Sequence, residues 1–234
     1  RLASGFQVAW SLFDPGDSGY PFGAIHRVCE FVGEWNSLRA SEQALANFRF
    51  HTHRAGTVRQ RQIYVLVIGE ASRRDHWQLF GYDRATNPEL TKIANIVPIS
   101  HMVASWSASV MAIPMIITRK PPTEASTIWN EASIRRGAQE AGFDTWWISN
   151  QMTMGKYDSP VSLYALEAAH TQFVNHATWV DAGGFDEALI EPLRDAAHAT
   201  NHDLFIVLHM LGSHEKYDLR YPSAFERFTP TLSD

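Results

Sequence analysis

The sequence contains very little cysteine and no long hydrophobic run. Cys29 is the single cysteine among 234 residues, which excludes an internal disulfide and leaves the redox compartment undetermined. The longest apolar runs contain about eight residues, whereas a helix needs ~20 to cross a bilayer. We therefore expect these runs to build the core of one sizeable folded domain.

Positive charge is not in excess either. The chain carries 20 lysine and arginine residues against 25 aspartate and glutamate residues, a formal net charge of -5 at pH 7. A general nucleic-acid binder presents a basic face, and this composition does not demand one. We therefore predict no nucleic-acid partner.

The most informative stretch is an apolar run that ends in a carboxylate. Residues Ile63 to Ile68 are all apolar and include β-branched and aromatic side chains, and Gly69 and Glu70 follow. Such a run is typical of a strand that is buried on both faces of a parallel sheet. Ligands of open α/β sheets gather at the carboxyl ends of strands, so Glu70 is a candidate ligand. A solvated acid at a strand end is the alternative interpretation.

Further strands and helices alternate along the chain. The segments Phe143 to Ser149 and Asp203 to His209 are predicted strands. The remaining predicted elements are helices over Gly23 to Leu38, after Ser72, over Asn87 to Ala94, from near Ser109, over Thr127 to Ala141 and over Asp186 to Thr200, and an edge strand over Ile96 to Val103. This alternation predicts an α/β fold, a three-layer α/β/α sandwich around a mostly parallel sheet.

The segment around Glu70 carries two motifs that indicate a family. They are Gly69-Glu70-Ala71-Ser72-Arg73 and Gly81-Tyr82-Asp83-Arg84-Ala85-Thr86-Asn87-Pro88-Glu89-Leu90. At this spacing the pair resembles the phosphoethanolamine transferases of the alkaline phosphatase and sulfatase superfamily. Matches near Ser109, at Asn150 and at His214 extend the resemblance over roughly Arg61 to Pro230. The resemblance implies an alkaline phosphatase/sulfatase-like fold and zinc as the cofactor.

The resemblance also implies roles for a carboxylate and a hydroxyl. In the family the Glu of the first motif is a zinc ligand, and here this is Glu70. The family nucleophile is a Thr five residues before a proline at the start of a helix; counting back from Pro114 gives Ser109, as nucleophile and metal ligand. Ser107 and Ser105 are rivals, and helix capping is the alternative for the serines. A serine hydroxyl needs a base or a metal for activation, which zinc would supply.

Three more residues are implied in substrate binding. Asn150 matches the family Asn that contacts the phosphoethanolamine group, with a turn residue as the alternative, and Lys156 is a nearby cation for the phosphate. The segment from Leu208 to His214 resembles a family motif whose second His reaches the phosphate oxygens or the leaving group. That role, catalytic and substrate-binding, falls on His214, and His209 is predicted to be structural.

The resemblance divides the chain into two parts. Residues 1–61 are interpreted as a linker after a membrane region, and residues 62–234 as a sulfatase-like catalytic domain. Because family members carry an N-terminal transmembrane bundle, we expect the parent protein in a bacterial inner membrane with this domain in the periplasm. The family's downstream Asp-His-Gly metal motif is not found before Asp234, so we expect a C-terminally incomplete, inactive fragment. His51 and His53 offer a metal pair in the linker, although solvated histidines are the simpler interpretation.

The implied reaction is a transfer between two lipids. Phosphoethanolamine would move from phosphatidylethanolamine to lipopolysaccharide, at the core heptose or lipid A, through a covalent intermediate on Ser109. A phosphatase or phosphodiesterase of the same fold is a second hypothesis, and an inactive domain that binds lipid or a partner is a third. A sulfatase reaction is disfavoured, because neither Ser109 nor Cys29 lies in the Cys/Ser-x-Pro-x-Arg motif that yields formylglycine.

Overall fold

The computed structural model describes residues 22–56, 60–152, 159–175 and 184–231. The chain divides into two compact units, Arg1–Ala44 and Leu45–Asp234. Helix α1 (Phe22–Asn47) lies largely in the first unit and is longer than the sequence predicts. None of the helices in the described ranges is long and apolar enough to cross a membrane.

The second unit is built on a four-stranded sheet in which every pairing is parallel. The strands are β1 (Ile63–Ile68), β2 (Asp144–Ser149), β3 (His170–Phe173) and β4 (Leu204–His209), in the order β1-β4-β2-β3. The helices are α2 (Ser109–Ile117), α3 (Ile134–Glu140), α4 (Ser159–Ala165) and α5 (Ile190–Ala199). Parallel neighbours that are distant in sequence require crossover connections, and the predicted α/β fold with a parallel sheet is confirmed.

Strand β4 is the centre of the core, and its two faces pack against different helices. Alternate residues along a strand point to opposite faces. One face contributes Leu204, Ile206 and Leu208 to a buried cluster with Ala196 of α5. The opposite face of the sheet carries Trp147 of β2, and the guanidinium of Arg135 in α3 lies 5.1 Å from its ring centroid. These contacts place helical layers on both sides of the sheet.

The prediction made from the sequence for the burial of β1 is wrong. It predicts a strand buried on both faces, but Ile63, Tyr64, Val65 and Val67 are exposed and only Ile68 is buried. The reason is the position of β1 at the end of the strand order, where β4 is its neighbour within the described part of the sheet.

Several local predictions are also corrected. The segment Ile96 to Val103 forms no strand and is largely exposed, since Pro98 has no N–H for a ladder. The helix predicted over Asn87 to Ala94 is one 3-10 turn at Leu90–Lys92. Ser72 caps nothing, and its Oγ instead accepts a hydrogen bond from Trp77 Nε1 at 2.6 Å.

Helix α3 begins later than the periodicity predicts. The helix was expected from Thr127, but the N–H of Trp129 donates to Tyr164 Oη at 3.0 Å, and Ser133 donates through both N and Oγ to Glu167. These tertiary hydrogen bonds hold residues 127–133 in bends. The predicted stop at Gly142 is confirmed, because this residue has a φ of 86° and follows the last turn. Strand β3 and helix α4 have no counterpart among the predicted elements.

Candidate active site at the carboxyl edge of the sheet

Three strands end at the same level of the sheet. Ile68 of β1 and Ser149 of β2 both pair with His209 of β4. The ladder continues one step further, where Asn150 N donates to His209 O at 2.8 Å and Met210 N donates to Ile68 O at 2.9 Å. The residues that follow these strands therefore leave the sheet side by side.

The predicted metal ligand and the predicted nucleophile are in contact at this edge. Ser109 Oγ donates a hydrogen bond to Glu70 Oε2 at 2.7 Å, across a separation of 39 residues in sequence. Glu70 lies two residues beyond β1, and its side chain is 5 % exposed. Ser109 is the first residue of α2 and is half-buried. The site therefore pairs a carboxylate with a hydroxyl at the start of a helix.

The other two serines occupy different positions. Ser105 and Ser107 are exposed residues of the loop before α2. Ala108 is the N-cap residue of α2, and no side chain caps this helix. Ser109 is therefore not a helix cap. The first N–H groups of a helix have no intrahelical acceptor and favour anions, so a phosphate at Ser109 would face these donors.

Gln151 joins the strand ends and was missed as a functional residue. Its Nε2 donates to Glu70 Oε1 at 2.8 Å and to Met210 O at 2.7 Å. Its backbone N donates to Ser149 Oγ at 3.0 Å. A signal in the sequence was present, because Gln151 follows a predicted strand. The substrate-binding role was nevertheless predicted for the neighbouring residue, Asn150.

His209 lies behind Glu70 in the core. Burial lowers the pKa of His209 to about 4, so the ring is neutral at neutral pH. Its Nδ1 lies 3.5 Å from Ser149 Oγ, and its Nε2 lies 3.9 Å from Glu70 Oε1. Because a neutral imidazole carries no charge, the contact with Glu70 is not an ion pair. Which atom donates between Nδ1 and Ser149 Oγ depends on the tautomer of the ring.

Asp186 is a second residue that the sequence did not single out. Its Oδ1 accepts from Leu211 N at 2.8 Å and from Asn150 Nδ2 at 2.9 Å, and its Oδ2 accepts from Gly212 N at 2.7 Å. A Cβ on Gly212 would lie 2.4 Å from Asp186 Oδ2. An aspartate at a predicted helix start is normally interpreted as a cap. Here it fixes the loop between β4 and His214.

The structure places the predicted substrate residues at different depths. Asn150 is fully buried, and its Nδ2 also donates to Gly184 O at 2.8 Å. His214 is half-buried on the loop after β4, where its N donates to Leu211 O at 3.1 Å. Lys156 lies outside the described residues. The substrate roles of all three stay predictions.

The residues present fit part of a zinc site. Glu70 Oε2 and Ser109 Oγ are adjacent oxygen donors of the kind that zinc accepts, whereas a complete site takes four donors. Within the described ranges, no group of three His, Cys, Asp or Glu side chains is arranged to hold a metal. His51 and His53 are exposed residues of the segment after α1. The Glu70–Ser109 pair is thus the candidate position for two of the four ligands.

Comparisons with known proteins identify the family of the chain. A sequence model of the family described as Sulfatase matches residues 62–234. Phosphoethanolamine transferase EptC of Escherichia coli (strain K12) is 26% identical over 208 residues, which are 87% of this chain and 34% of that protein. Phosphoethanolamine transferase CptA of Salmonella typhimurium is 27% identical over 188 residues, which are 79% of this chain and 32% of that protein.

A solved structure shares the fold. It is the C-terminal periplasmic domain of EcEptC from Escherichia coli in complex with Zn, with a TM-score of 0.65 and 25% identity over 73% of this chain and 49% of that chain. The chain spans about a third of the length of the two relatives above. Because the family match covers more than half of its residues, the chain belongs to the sulfatase family.

Proposed function

We propose that this chain is part of an enzyme that transfers phosphoethanolamine from phosphatidylethanolamine to lipopolysaccharide, at the core heptose or lipid A. The observation that carries the proposal is the 2.7 Å hydrogen bond from Ser109 Oγ to Glu70 Oε2. The relatives named phosphoethanolamine transferases support the transferred group. The periplasmic domain among the solved relatives supports an inner-membrane protein whose catalytic part faces the periplasm.

The reaction is a double displacement. Ser109 gives its proton to water, its Oγ attacks the phosphorus of the donor, and the bond from phosphorus to the diacylglycerol oxygen breaks as His214 protonates that oxygen. The acceptor hydroxyl then attacks the phosphorus of the phosphoserine and gives its proton to His214, and the bond to Ser109 Oγ breaks, which returns Ser109 Oγ to its deprotonated form. Two displacements replace one difficult transfer, which is the advantage of a covalent intermediate.

Zinc is the proposed cofactor, with Glu70 and Ser109 as two of its ligands. Bound there, it would lower the pKa of the Ser109 hydroxyl and neutralise charge on the phosphoryl oxygens. The chain itself provides the orientation: the contact with Glu70 places Oγ beside the proposed metal position, and α2 directs backbone N–H groups at the phosphate.

The remaining roles belong to residues of the strand ends. His214 follows β4 on a loop held by Asp186, and we assign it the donation of a proton to the diacylglycerol oxygen. Asn150 and Lys156 are assigned to the phosphoethanolamine group.

The test is turnover by the protein in its full natural length, supplied with zinc, labelled phosphatidylethanolamine and lipopolysaccharide. Diacylglycerol release and labelling of lipopolysaccharide are measured together. Ser109→Ala should lower both rates by ~10³-fold or more, because the nucleophile is lost. Ser107→Ala is the matched control and should keep both rates.

Other outcomes point to other functions. If Ser107→Ala loses activity and Ser109→Ala keeps it, the nucleophile is Ser107, in the exposed loop before α2. Release of phosphoethanolamine to water without labelling of lipopolysaccharide would indicate a phosphodiesterase. Absence of both products in the zinc-loaded protein would favour a domain that binds lipid or a partner.

A further inference from the structure

We infer that Gln151 is a positioning residue that fixes the plane of the Glu70 carboxylate, so that one of its oxygens points at Ser109. The inference rests on the proposed metal site. Its basis is that the two oxygens of Glu70 have different partners: Oε2 accepts from Ser109 at 2.7 Å, and Oε1 accepts from Gln151 Nε2 at 2.8 Å. A carboxylate that is hydrogen-bonded through both oxygens is held in one orientation.

The orientation of the Gln151 amide follows from its partners. Glu70 Oε1 and Met210 O are both acceptors, so the amide must present its NH₂ group to them. The amide has two N–H bonds, one for each acceptor. The Met210 carbonyl therefore fixes the amide, and the amide in turn fixes the carboxylate.

Gln151 reaches Glu70 across an intervening strand. It follows β2, whereas Glu70 follows β1, and β4 lies between these two strands. Two strand spacings amount to roughly 10 Å, which two long side chains span when they extend toward each other. Asparagine is one methylene shorter, about 1.5 Å by standard bond lengths. The length of Gln151 is therefore part of its role.

Glu70 requires such a partner because its terminal torsion is soft. The χ3 torsion of glutamate is broad, so the plane of the carboxylate rotates at little cost unless a partner holds it. His209 Nε2, at 3.9 Å from Oε1, lies beyond hydrogen-bond distance and does not replace Gln151. Gln151 Nε2, at 2.8 Å, lies within hydrogen-bond distance of Oε1.

The Gln151 side chain is itself held in place. The residue is 7 % exposed, and its N–H is bound to Ser149 Oγ at the end of β2. Outer partners of this kind typically change metal affinity 10- to 100-fold when they are removed. We expect an effect of that size here.

The experiment measures zinc affinity by competition with a chelating dye, on the protein in its full natural length. Gln151→Met keeps the length of the side chain and removes the donor, and should weaken zinc binding ~10- to 100-fold. Gln151→Asn keeps the amide but shortens it, and should weaken binding in the same direction. Gln172→Met, the same substitution at an exposed residue of β3, is the matched control and should leave the affinity unchanged.

The visible spectrum of the cobalt-substituted protein provides a second measurement. It reports the ligand geometry and does not respond to a merely structural loss of stability. Gln151→Met should shift its bands, and Gln172→Met should not. The spectrum also gives a reading if one Gln151 variant is poorly stable.

Glu70→Gln separates the two proposals. If it weakens zinc binding while both Gln151 variants bind as the wild type does, the positioning role is overturned and the proposed metal site stands. If Glu70→Gln leaves the affinity unchanged, the proposed metal site itself is wrong. If Glu70→Gln and both Gln151 variants weaken binding, the positioning role is supported.

Discussion

Strands β1 and β4 are neighbours with similar sequences and opposite burial. Each has six residues, they pair in register over their whole length, and both consist mainly of β-branched, leucine and aromatic residues. Yet Ile206 of β4 is 0 % exposed and Ile63 of β1 is 43 % exposed. The two strands differ in what surrounds them.

Position in the sheet explains the difference. Strand β4 has β1 on one side, β2 on the other and α5 against one face. Strand β1 stands at the end of the strand order. Composition therefore identifies a strand, whereas its neighbours decide whether it is core. Both strands nevertheless end at the same edge of the sheet. Glu70, after the exposed strand, and the His214 loop, after the buried strand, therefore both lie at that edge.

The largest expected effect is a loss of stability in the buried strand. Ile206→Ala should lower the free energy of unfolding by about 2–5 kcal/mol, because it leaves a cavity in the core. Ile63→Ala removes the same atoms from the exposed strand and should cost about 1 kcal/mol, since less apolar area returns to water. Urea unfolding followed by circular dichroism measures both. Equal losses in the two variants would show that β1 is covered in solution.

The two glycines that follow these strands sharpen the comparison. Gly212→Ala would place a Cβ 2.4 Å from Asp186 Oδ2, whereas a Cβ on Gly69 meets nothing within 4 Å. We expect Gly212→Ala to disrupt the bonds from Asp186 to the His214 loop, and to lower transferase activity about 10- to 100-fold. Gly69→Ala should keep most of the activity. The reverse order of activities would contradict the role of Asp186 as an anchor of that loop.

The smallest effect concerns a carboxylate in the layer over β2. Burial raises the pKa of Glu167 above its ordinary value of 4.5. The folded state therefore holds this proton more tightly than the unfolded state, and the stability due to Glu167 falls as pH rises from 4.5 through the raised pKa. Glu167→Gln does not titrate, so its stability relative to the wild type should increase across that window.

The pH effect is measured as the difference in urea midpoint between the wild type and Glu167→Gln, from about pH 4 to pH 8. Glu89→Gln, at an exposed carboxylate, is the matched control. A difference that decreases with rising pH would contradict the sign given above. A constant difference would show that burial does not perturb Glu167 in solution.

The sequence predicted the parts of the fold that depend on local pattern. The apolar runs located β1, β2 and β4, and the alternation with helices predicted the parallel sheet. The predicted start of α3 was wrong because tertiary hydrogen bonds override periodicity there, and the predicted strand at Ile96 to Val103 was wrong because Pro98 has no N–H for a ladder. Strand β3 escaped notice because the sequence His170–Phe173 is short and largely polar.

The site was predictable where a residue type carries its own chemistry. Glu70 and Ser109 were singled out by motif, and the structure brings them together. Gln151 and Asp186 act through hydrogen bonds to groups far away in sequence, at separations of 81 and 25 or 26 residues. No local sequence pattern predicts such a hydrogen bond. It depends on the register of strand pairing, which brings the strand ends together.

Covalent modification of Ser109 can be observed in the mass of the intact protein. The full-length, zinc-loaded protein is incubated with phosphatidylethanolamine without acceptor, and the adduct is located by peptide mapping. We expect one phosphoethanolamine-sized adduct on Ser109, present in Ser107→Ala and absent from Ser109→Ala. An adduct that persists in Ser109→Ala, or none in a zinc-loaded protein that still releases diacylglycerol, would show that Ser109 is not the nucleophile.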